Sequence, residues 1–300
     1  MSNLMSRVAS APISWGICEV PGWGVMLPTD RVLGEMSSLD LPATELGAPG
    51  FLAATPEAIK AELAEFDMTL IGGFTPLVLH DRRSRAATIA TAKATAALFE
   101  RAGASEFISA VVMDEGWSVP RALDADETAH MMEMFAIIDD ICGEHGLQQV
   151  LHPHVQTLVE TASDVQRVLD NCEVKWCLDT GHLAIGGVDP VAFARESADR
   201  VGHVHLKDVN MSMAAPVLNR EMTIMAGVQS GLFTPLGQGD VQILEVIETL
   251  ESAGYRGWYV IEQDTAITGA LPDVGAGPIT SVSESLAYLR DVVAPRVDRK

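Results

Sequence analysis

The sequence predicts a single α/β domain, residues 1–300, folded as a (β/α)8 TIM barrel. Eight short apolar segments alternate with eight helix candidates along the chain. Such alternation is typical of a parallel sheet, and eight strand–helix units are the number that closes a barrel. No glycine-rich phosphate-binding fingerprint follows the first apolar segment, which disfavours the main alternative, a doubly wound open sheet.

The predicted strands are short apolar runs bounded by turn-forming residues. In chain order they cover 8–15, 43–46, 68–74, 107–113, 148–154, 174–179, 201–207 and 257–262. The helices between them carry capping signals. Asp124 and Glu127 have the spacing of a capping box at the start of a helix. Asp240 is expected to cap the helix that precedes the eighth strand.

Two predicted loops, 208–239 and 263–280, are much longer than the two to six residues or so that usually join such elements. Long loops in compact domains are commonly functional. The first contains a methionine-rich stretch, 211–225, which we expect to serve either as a lid or as an interface in a homo-oligomer.

The composition limits the class of protein. Hydrophobic residues make up 48% of the chain and charged residues 20%, which suits a globular core. No apolar run approaches the roughly 20 residues of a membrane helix, and no signal peptide is recognised, so we expect a cytoplasmic enzyme. The net charge of −21 disfavours nucleic acid and anionic membranes as partners. The four cysteines lack CxxC spacing and are expected to be reduced.

Ionisable residues gather at the ends of the last four predicted strands. They are His152, His154 and Glu160; Asp179 and His182; His203, His205, Lys207 and Asp208; and Glu262 and Asp264. The C-terminal ends of barrel strands meet at one rim, so we expect these side chains to surround one site. Burying so many charges without a partner costs several kcal/mol each, and a divalent cation would offset that cost.

Four of these residues are the predicted metal ligands. They are Glu160, Asp179, His205 and Glu262. Three carboxylates and one imidazole suit Mn²⁺, Mg²⁺ or Co²⁺, and can also hold Zn²⁺, whereas a structural zinc site would use thiolates.

Seven motifs carry a resemblance to a known family. They are APISWG, ATELG, LHPH, VET, LDTGH, HVHLKD and LGQGD, between residues 11 and 240. With them the chain resembles the xylose isomerase-like superfamily of metal-dependent TIM barrels, also described as sugar phosphate isomerases/epimerases. Within it the chain is similar to the inosose dehydratase branch of myo-inositol catabolism. The resemblance implies a metal-binding glutamate at the end of the fifth strand, where this chain has His152. Either Glu160 reaches in from the loop, or His152 itself coordinates the ion.

The expected reaction starts from a ketone bound to the divalent ion, which stabilises the enediolate formed when an α-proton leaves. Loss of a β-hydroxyl then dehydrates an inosose, a cyclic polyhydroxy ketone, and makes the protein a hydro-lyase. Return of the proton to another face or carbon would instead make it an isomerase or epimerase of a keto-sugar. We expect dehydration, with isomerisation as the alternative.

Roles for individual side chains follow from this chemistry. Histidine suits the base because its pKa lies near neutrality, and either His152 or His154 would take the proton. Lys207 would assist at the oxyanion or the leaving hydroxyl. The predicted contacts to a small polyol or keto-sugar substrate are Glu45, His182 and Trp15.

Overall fold

A computed structural model describes residues 4–298 and confirms the predicted barrel. Each strand pairs in parallel with the next along the chain, and Val8 of the first strand lies opposite Tyr259 of the eighth, which closes the barrel. The strands are β1 (Val8–Ser10), β2 (Ala43–Thr44), β3 (Thr69–Leu70 and Gly72–Leu77), β4 (Glu106–Val111), β5 (Gln148–Leu151), β6 (Lys175–Asp179), β7 (Val201–Leu206) and β8 (Tyr259–Ile261).

Helices surround the barrel and complete the strand–helix alternation. They are α1 (Thr29–Ser38), α2 (Pro56–Ala64), α3 (Arg85–Ala102), α4 (Ala125–Glu144), α5 (Ala162–Asn171), α6 (Thr180–Ile185), α7 (Pro190–Glu196), α8 (Ala214–Leu218), α9 (Ile224–Gln229), α10 (Ile243–Ser252), α11 (Pro278–Tyr288) and α12 (Ala294–Val297). The main apolar core lies between the outer faces of the strands and the helices. No helix between residues 4 and 298 has the length and apolar character needed to cross a bilayer.

The predicted capping box is confirmed, because Asp124 accepts from the Glu127 backbone N–H at 2.9 Å and Glu127 accepts from that of Asp124 at 3.0 Å. The prediction for Asp240 is wrong. Helix α10 begins at Ile243, and the Asp240 carboxylate instead accepts from the backbone N–H of Met211 at 2.8 Å. Asp240 therefore joins the end of the long loop to Met211 near its start, and it does not cap a helix.

Strand β3 pairs with its two neighbours through different segments. The Ile71 backbone N–H donates to Thr44 O on one side, and Ile71 O accepts from Ser105 and Glu106 on the other, each at 2.9 Å. A Cβ at Gly72 would lie 2.1 Å from the carbonyl oxygen of Glu106, so the close approach of β3 and β4 requires glycine there.

Several strands end earlier than the sequence pattern predicts. Strand β5 ends at Leu151, so His152 and His154 lie in the following loop around Pro153, which has no N–H to donate to a ladder. Strand β1 ends at Ser10, and Pro12–Trp15 form a 3-10 turn. Side-chain directions at both places are therefore set by loop geometry and not by strand alternation.

The loop 208–239 folds over the C-terminal rim of the barrel. Its base is a small antiparallel pairing of Asp208–Val209 with Phe233–Thr234, and α8 and α9 lie between. The Asp208 carboxylate accepts four backbone N–H groups, from Val209, Gly237, Gly239 and Val241, at 2.8–3.0 Å. Apolar side chains of this loop pack against Trp23, Val155 and Ile185. We call residues 208–239 the lid loop.

Candidate metal and substrate site

Four ionisable side chains converge at the C-terminal rim. One nitrogen or oxygen from each of His152, Asp179, His205 and Glu262 lies within 4.8 Å of the others. Asp179 ends β6, His205 lies on β7 with its Cα opposite Asp179, and His152 and Glu262 follow β5 and β8. Barrel closure thus brings together residues that are far apart in the chain.

The distances within this cluster are short. His152 Nε2 lies 3.2 Å from Asp179 Oδ2, and His205 Nδ1 lies 3.8 Å from the same oxygen. His205 Nδ1 also contacts Glu262 Oε2 directly, and this buried ion pair does not have the geometry of a hydrogen bond. Two imidazole nitrogens and two carboxylate oxygens that lie this close together fit a divalent cation held by all four side chains.

Both carboxylates of the cluster stay ionised despite burial. Burial raises the pKa of Asp179, but the Lys207 ammonium and His152 outweigh it and lower that pKa below its usual value. Burial acts on Glu262 in the same way, and His205 and Lys207 hold its pKa well below the ordinary range. The cluster therefore offers two ionised carboxylates to a cation.

Lys207 is fully buried and supplies the balancing positive charge. Its Nζ donates to Asp264 at 2.8 Å and to Glu262 at 3.1 Å, and lies 3.6 Å from Asp179 Oδ2. Burial lowers the pKa of Lys207, but Asp179, Asp264 and Glu262 raise it well above its ordinary value.

Local packing makes room for this lysine. A Cβ at Gly181 would lie 2.8 Å from Lys207 Cγ, so the residue after Thr180 must be glycine for the lysine stem to pass. The Thr180 hydroxyl donates to Lys207 O and accepts from Lys207 N, both at 2.8 Å. The Asp-Thr-Gly turn therefore positions both the carboxylate of Asp179 and the neighbouring ammonium.

Glu160 does not reach the cluster. Its carboxylate forms a two-armed pair with Arg220 of the lid loop, with 2.9 Å between Arg220 Nη1 and Oε1, and it also accepts from the Gln156 backbone N–H at 2.9 Å. His152, and not Glu160, is the fourth side chain of the cluster with Asp179, His205 and Glu262. The loop after β5 turns Glu160 towards the lid, so this carboxylate joins the lid loop to the barrel.

Glu45 lies beneath the cluster instead of facing a substrate. Its Oε1 accepts from His205 Nε2 at 2.8 Å and from His203 Nε2 at 2.9 Å. Burial raises the pKa of Glu45, but His205 and His203 outweigh it and lower the pKa to about 2. The predicted substrate contact is thus a buried carboxylate that faces a candidate metal ligand.

Trp15 is a core residue and not a substrate contact. It is 0% exposed, and its indole N–H donates to Glu35 of α1 at 2.9 Å. The 3-10 turn that follows β1 directs the ring away from the rim, which the predicted longer strand would not have done.

His182 is buried, and each of its ring nitrogens lies near a hydrogen-bond donor, of which a neutral ring accepts from one. Val155 N–H donates to its Nδ1 at 3.3 Å, and its Nε2 lies 3.2 Å from Lys207 Nζ. Burial, His154 and Lys207 hold its pKa well below the ordinary value, so the ring is neutral. The His154 ring lies against it, tilted by 38°, with 3.9 Å between centroids, and the contact of His182 with substrate stays a prediction.

An aromatic wall borders the site, formed by Phe74, Trp117 and His154. Phe74 and Trp117 stack at 6.1 Å, and each lies within 5.8 Å of the His154 ring. Phe74 is 39% exposed although it is large and apolar. Sequence reasoning included neither Phe74 nor Trp117 among the site residues. An aromatic residue in a strand otherwise rich in glycine was the available signal for Phe74.

The chain belongs to the xylose isomerase-like TIM barrel family, whose profile matches residues 33–292. An inosose dehydratase of Geobacillus kaustophilus is 31% identical over 278 residues, which are 87% of this chain and 89% of that protein.

Two solved structures share the fold. The probable 3-DHS dehydratase AsbF of Bacillus anthracis superposes with a TM-score of 0.70 at 14% identity, covering 95% of this chain and 98% of that one. The IolI protein, whose crystal structure contains zinc, gives 0.68 at 13% identity, covering 96% and 98%.

Proposed function

We propose that this protein is a metal-dependent hydro-lyase that dehydrates an inosose. The observation that carries the proposal is the buried cluster of His152, Asp179, His205 and Glu262 with a neutral histidine, His154, beside it. The similarity to an inosose dehydratase over most of both chains supports the substrate class.

The ligand set bears on the metal. With His152 in place of Glu160, two imidazoles and two carboxylates would hold the ion. Imidazole favours Co²⁺, Zn²⁺ or Mn²⁺ over Mg²⁺, which prefers oxygen ligands. When bound, such an ion supplies Lewis-acid polarisation of the substrate ketone.

His154 is the proposed general base. Its Nδ1–H donates to Val155 O at 2.6 Å, which leaves the Nε2 lone pair available. Burial, His152 and Lys207 lower the pKa of His154 to about 3, so the ring is unprotonated at physiological pH. Among the two candidates from the sequence, His154 takes this role because His152 Nε2 is engaged with Asp179.

Asp264 is the proposed proton donor for the departing hydroxyl. Burial, Glu262 and Asp179 raise its pKa to about 6 against the lowering effect of Lys207. Lys207 holds this carboxyl at 2.8 Å and so fixes its position. A carboxyl with a pKa near neutrality can donate a proton where an ordinary aspartate cannot.

The charges around the site favour an uncharged substrate. Lys207 is surrounded by three carboxylates, and Arg220 is paired with Glu160. A phosphate or carboxylate on the substrate would need a cation that is not already neutralised. A neutral polyhydroxy ketone fits better than a sugar phosphate, and the aromatic wall offers an apolar surface for its ring C–H groups.

The function is tested by incubating the Co²⁺- or Mn²⁺-loaded protein with scyllo-inosose and following the ultraviolet absorbance of the enone product. We expect absorbance to appear in proportion to enzyme and to stop when EDTA removes the ion. The same protein is tested with fructose and fructose phosphates by sugar analysis. Isomerised sugar without enone formation would refute dehydration and favour the isomerase alternative.

The first metal ligand is tested by a pair of variants. His152→Ala is expected to weaken Co²⁺ binding at least about 100-fold, because a direct ligand should exceed the effect of an outer-shell partner. Glu160→Gln should change the Co²⁺ dissociation constant by no more than about twofold, since its carboxylate binds Arg220. Isothermal titration calorimetry measures both. The reverse ranking would mean that Glu160 leaves Arg220 to coordinate the ion.

A further inference from the structure

We propose that Glu45 and His203 act as positioning residues that hold the imidazole of His205 with its Nδ1 towards the metal. This inference rests on the metal site of the proposed function. Glu45, His203 and His205 form one hydrogen-bonded group inside the barrel, which we call the support. In it, a single carboxylate oxygen, Glu45 Oε1, accepts hydrogen bonds from the Nε2 atoms of both histidines.

The hydrogen bond to Glu45 fixes the tautomer of His205. An ionised carboxylate accepts and cannot donate, so His205 Nε2 must carry a proton. In a neutral ring the lone pair then lies on Nδ1, the atom that faces Glu262. A metal-ligating histidine commonly donates its other N–H to a carboxylate, which orients the ring and makes it a stronger ligand.

The support is rigid because it is buried and anchored from both sides of the barrel. Glu45, His203 and His205 are 4%, 0% and 1% exposed. Glu45 follows β2, whose Thr44 hydroxyl donates to Ser10 O at 3.0 Å, whereas both histidines belong to β7. The position of the carboxylate is therefore set by closure of the barrel and not by the loops of the rim.

His203 holds the Glu45 carboxylate in its orientation towards His205. It lies two residues before His205 on the same strand, so both rings point to the same side. Two N–H donors on one oxygen define the position of Glu45 more tightly than one would. Glu45 and the two histidines also approach closely enough to be considered as metal ligands. The Nε2 atoms of both histidines and Oε1 of Glu45 already form hydrogen bonds of 2.8 and 2.9 Å with each other. We therefore assign these three side chains to positioning His205 and not to a second metal site.

The test is Co²⁺ titration of the full-length protein without substrate, followed by calorimetry and by the visible spectrum of bound Co²⁺. Glu45→Gln keeps an acceptor oxygen but removes the charge, and His203→Gln removes one donor ring. We expect Glu45→Gln to raise the Co²⁺ dissociation constant by about 10- to 100-fold and to shift the spectrum. We expect His203→Gln to raise it by about 10-fold.

Glu106→Gln is the matched control, because Glu106 is another buried carboxylate of the barrel, 8% exposed, and its partners are Ser105 and Gln148. It should leave the Co²⁺ dissociation constant unchanged. Dissociation constants within twofold of the parent in both test variants, or equal weakening in the control, would overturn the inference. If Glu45→Gln does not fold, His203→Gln decides alone. A parent that binds Co²⁺ but does not dehydrate inosose would refute the function and leave this inference intact.

Discussion

Asp179→Asn is expected to reduce turnover by about 10³-fold or more and to weaken Co²⁺ binding strongly. Its Oδ2 faces both His152 and His205, so the amide would replace an anionic ligand atom at the centre of the cluster. Lewis-acid stabilisation is worth several kcal/mol, and each 1.4 kcal/mol or so corresponds to a factor of ten in rate. Asparagine can still accept the His182 N–H at the start of α6, so the helix cap is retained. Steady-state turnover of inosose and Co²⁺ titration measure the two effects.

Asp189→Asn is a matched control for this substitution. Asp189 caps α7 in the same way, accepting from the backbone N–H groups of Val191 at 2.9 Å and Ala192 at 3.3 Å. It should leave turnover and Co²⁺ binding unchanged. If Asp179→Asn kept more than a tenth of the parent turnover, Asp179 would be a helix cap alone.

Lys207→Met is expected to destabilise the metal-free protein by about 3 to 5 kcal/mol, because it leaves buried carboxylates without their ammonium partner. The affected carboxylates are Asp179, Glu262 and Asp264. Their pKa values in the folded variant should rise above those in the unfolded chain. The folded variant then binds more protons than the unfolded chain, so its stability falls as pH rises. The free energy of unfolding in EDTA should therefore differ from that of the parent more at pH 8 than at pH 5.

Lys175→Met provides the comparison, because Lys175 lies near the surface and donates to the Asp199 carbonyl oxygen at 2.6 Å. It should change the free energy of unfolding by no more than about 0.5 kcal/mol, with the same value at both pH values. Urea denaturation followed by circular dichroism gives these free energies. An equal loss at pH 5 and pH 8 for Lys207→Met would show that lost packing, and not charge, explains the effect.

The barrel could be predicted from sequence because its signals are local and repeated. Each strand–helix unit has its own apolar run, and the C-terminal ends of parallel strands must share a rim. The same reasoning predicted that Asp179, His205 and Glu262 lie close together, because each lies on a strand or directly after one. The structure brings these three side chains together.

The failures lie where the chain leaves regular structure. Glu160 is eight residues past His152, and its direction depends on a loop in which Gln156 adopts a left-handed conformation, with φ of 66°. The spacing of apolar residues along the chain does not predict such a left-handed turn or the direction of the side chains that follow it. The pairing of Glu160 with Arg220 also depends on the fold of the lid loop, which has no strong pattern. Trp15 was misplaced for a related reason, because β1 ends five residues before it.

The four backbone N–H groups that donate to Asp208 have a consequence for how the lid loop is held. One carboxylate fixes both ends of the lid loop to the barrel, since Val209 is at its start and Gly237, Gly239 and Val241 are at its close. Between these fixed ends, Arg220 adds one further link to the barrel through its ion pair with Glu160. Asp208 therefore closes residues 210–236 into a loop whose start and end are held at one carboxylate.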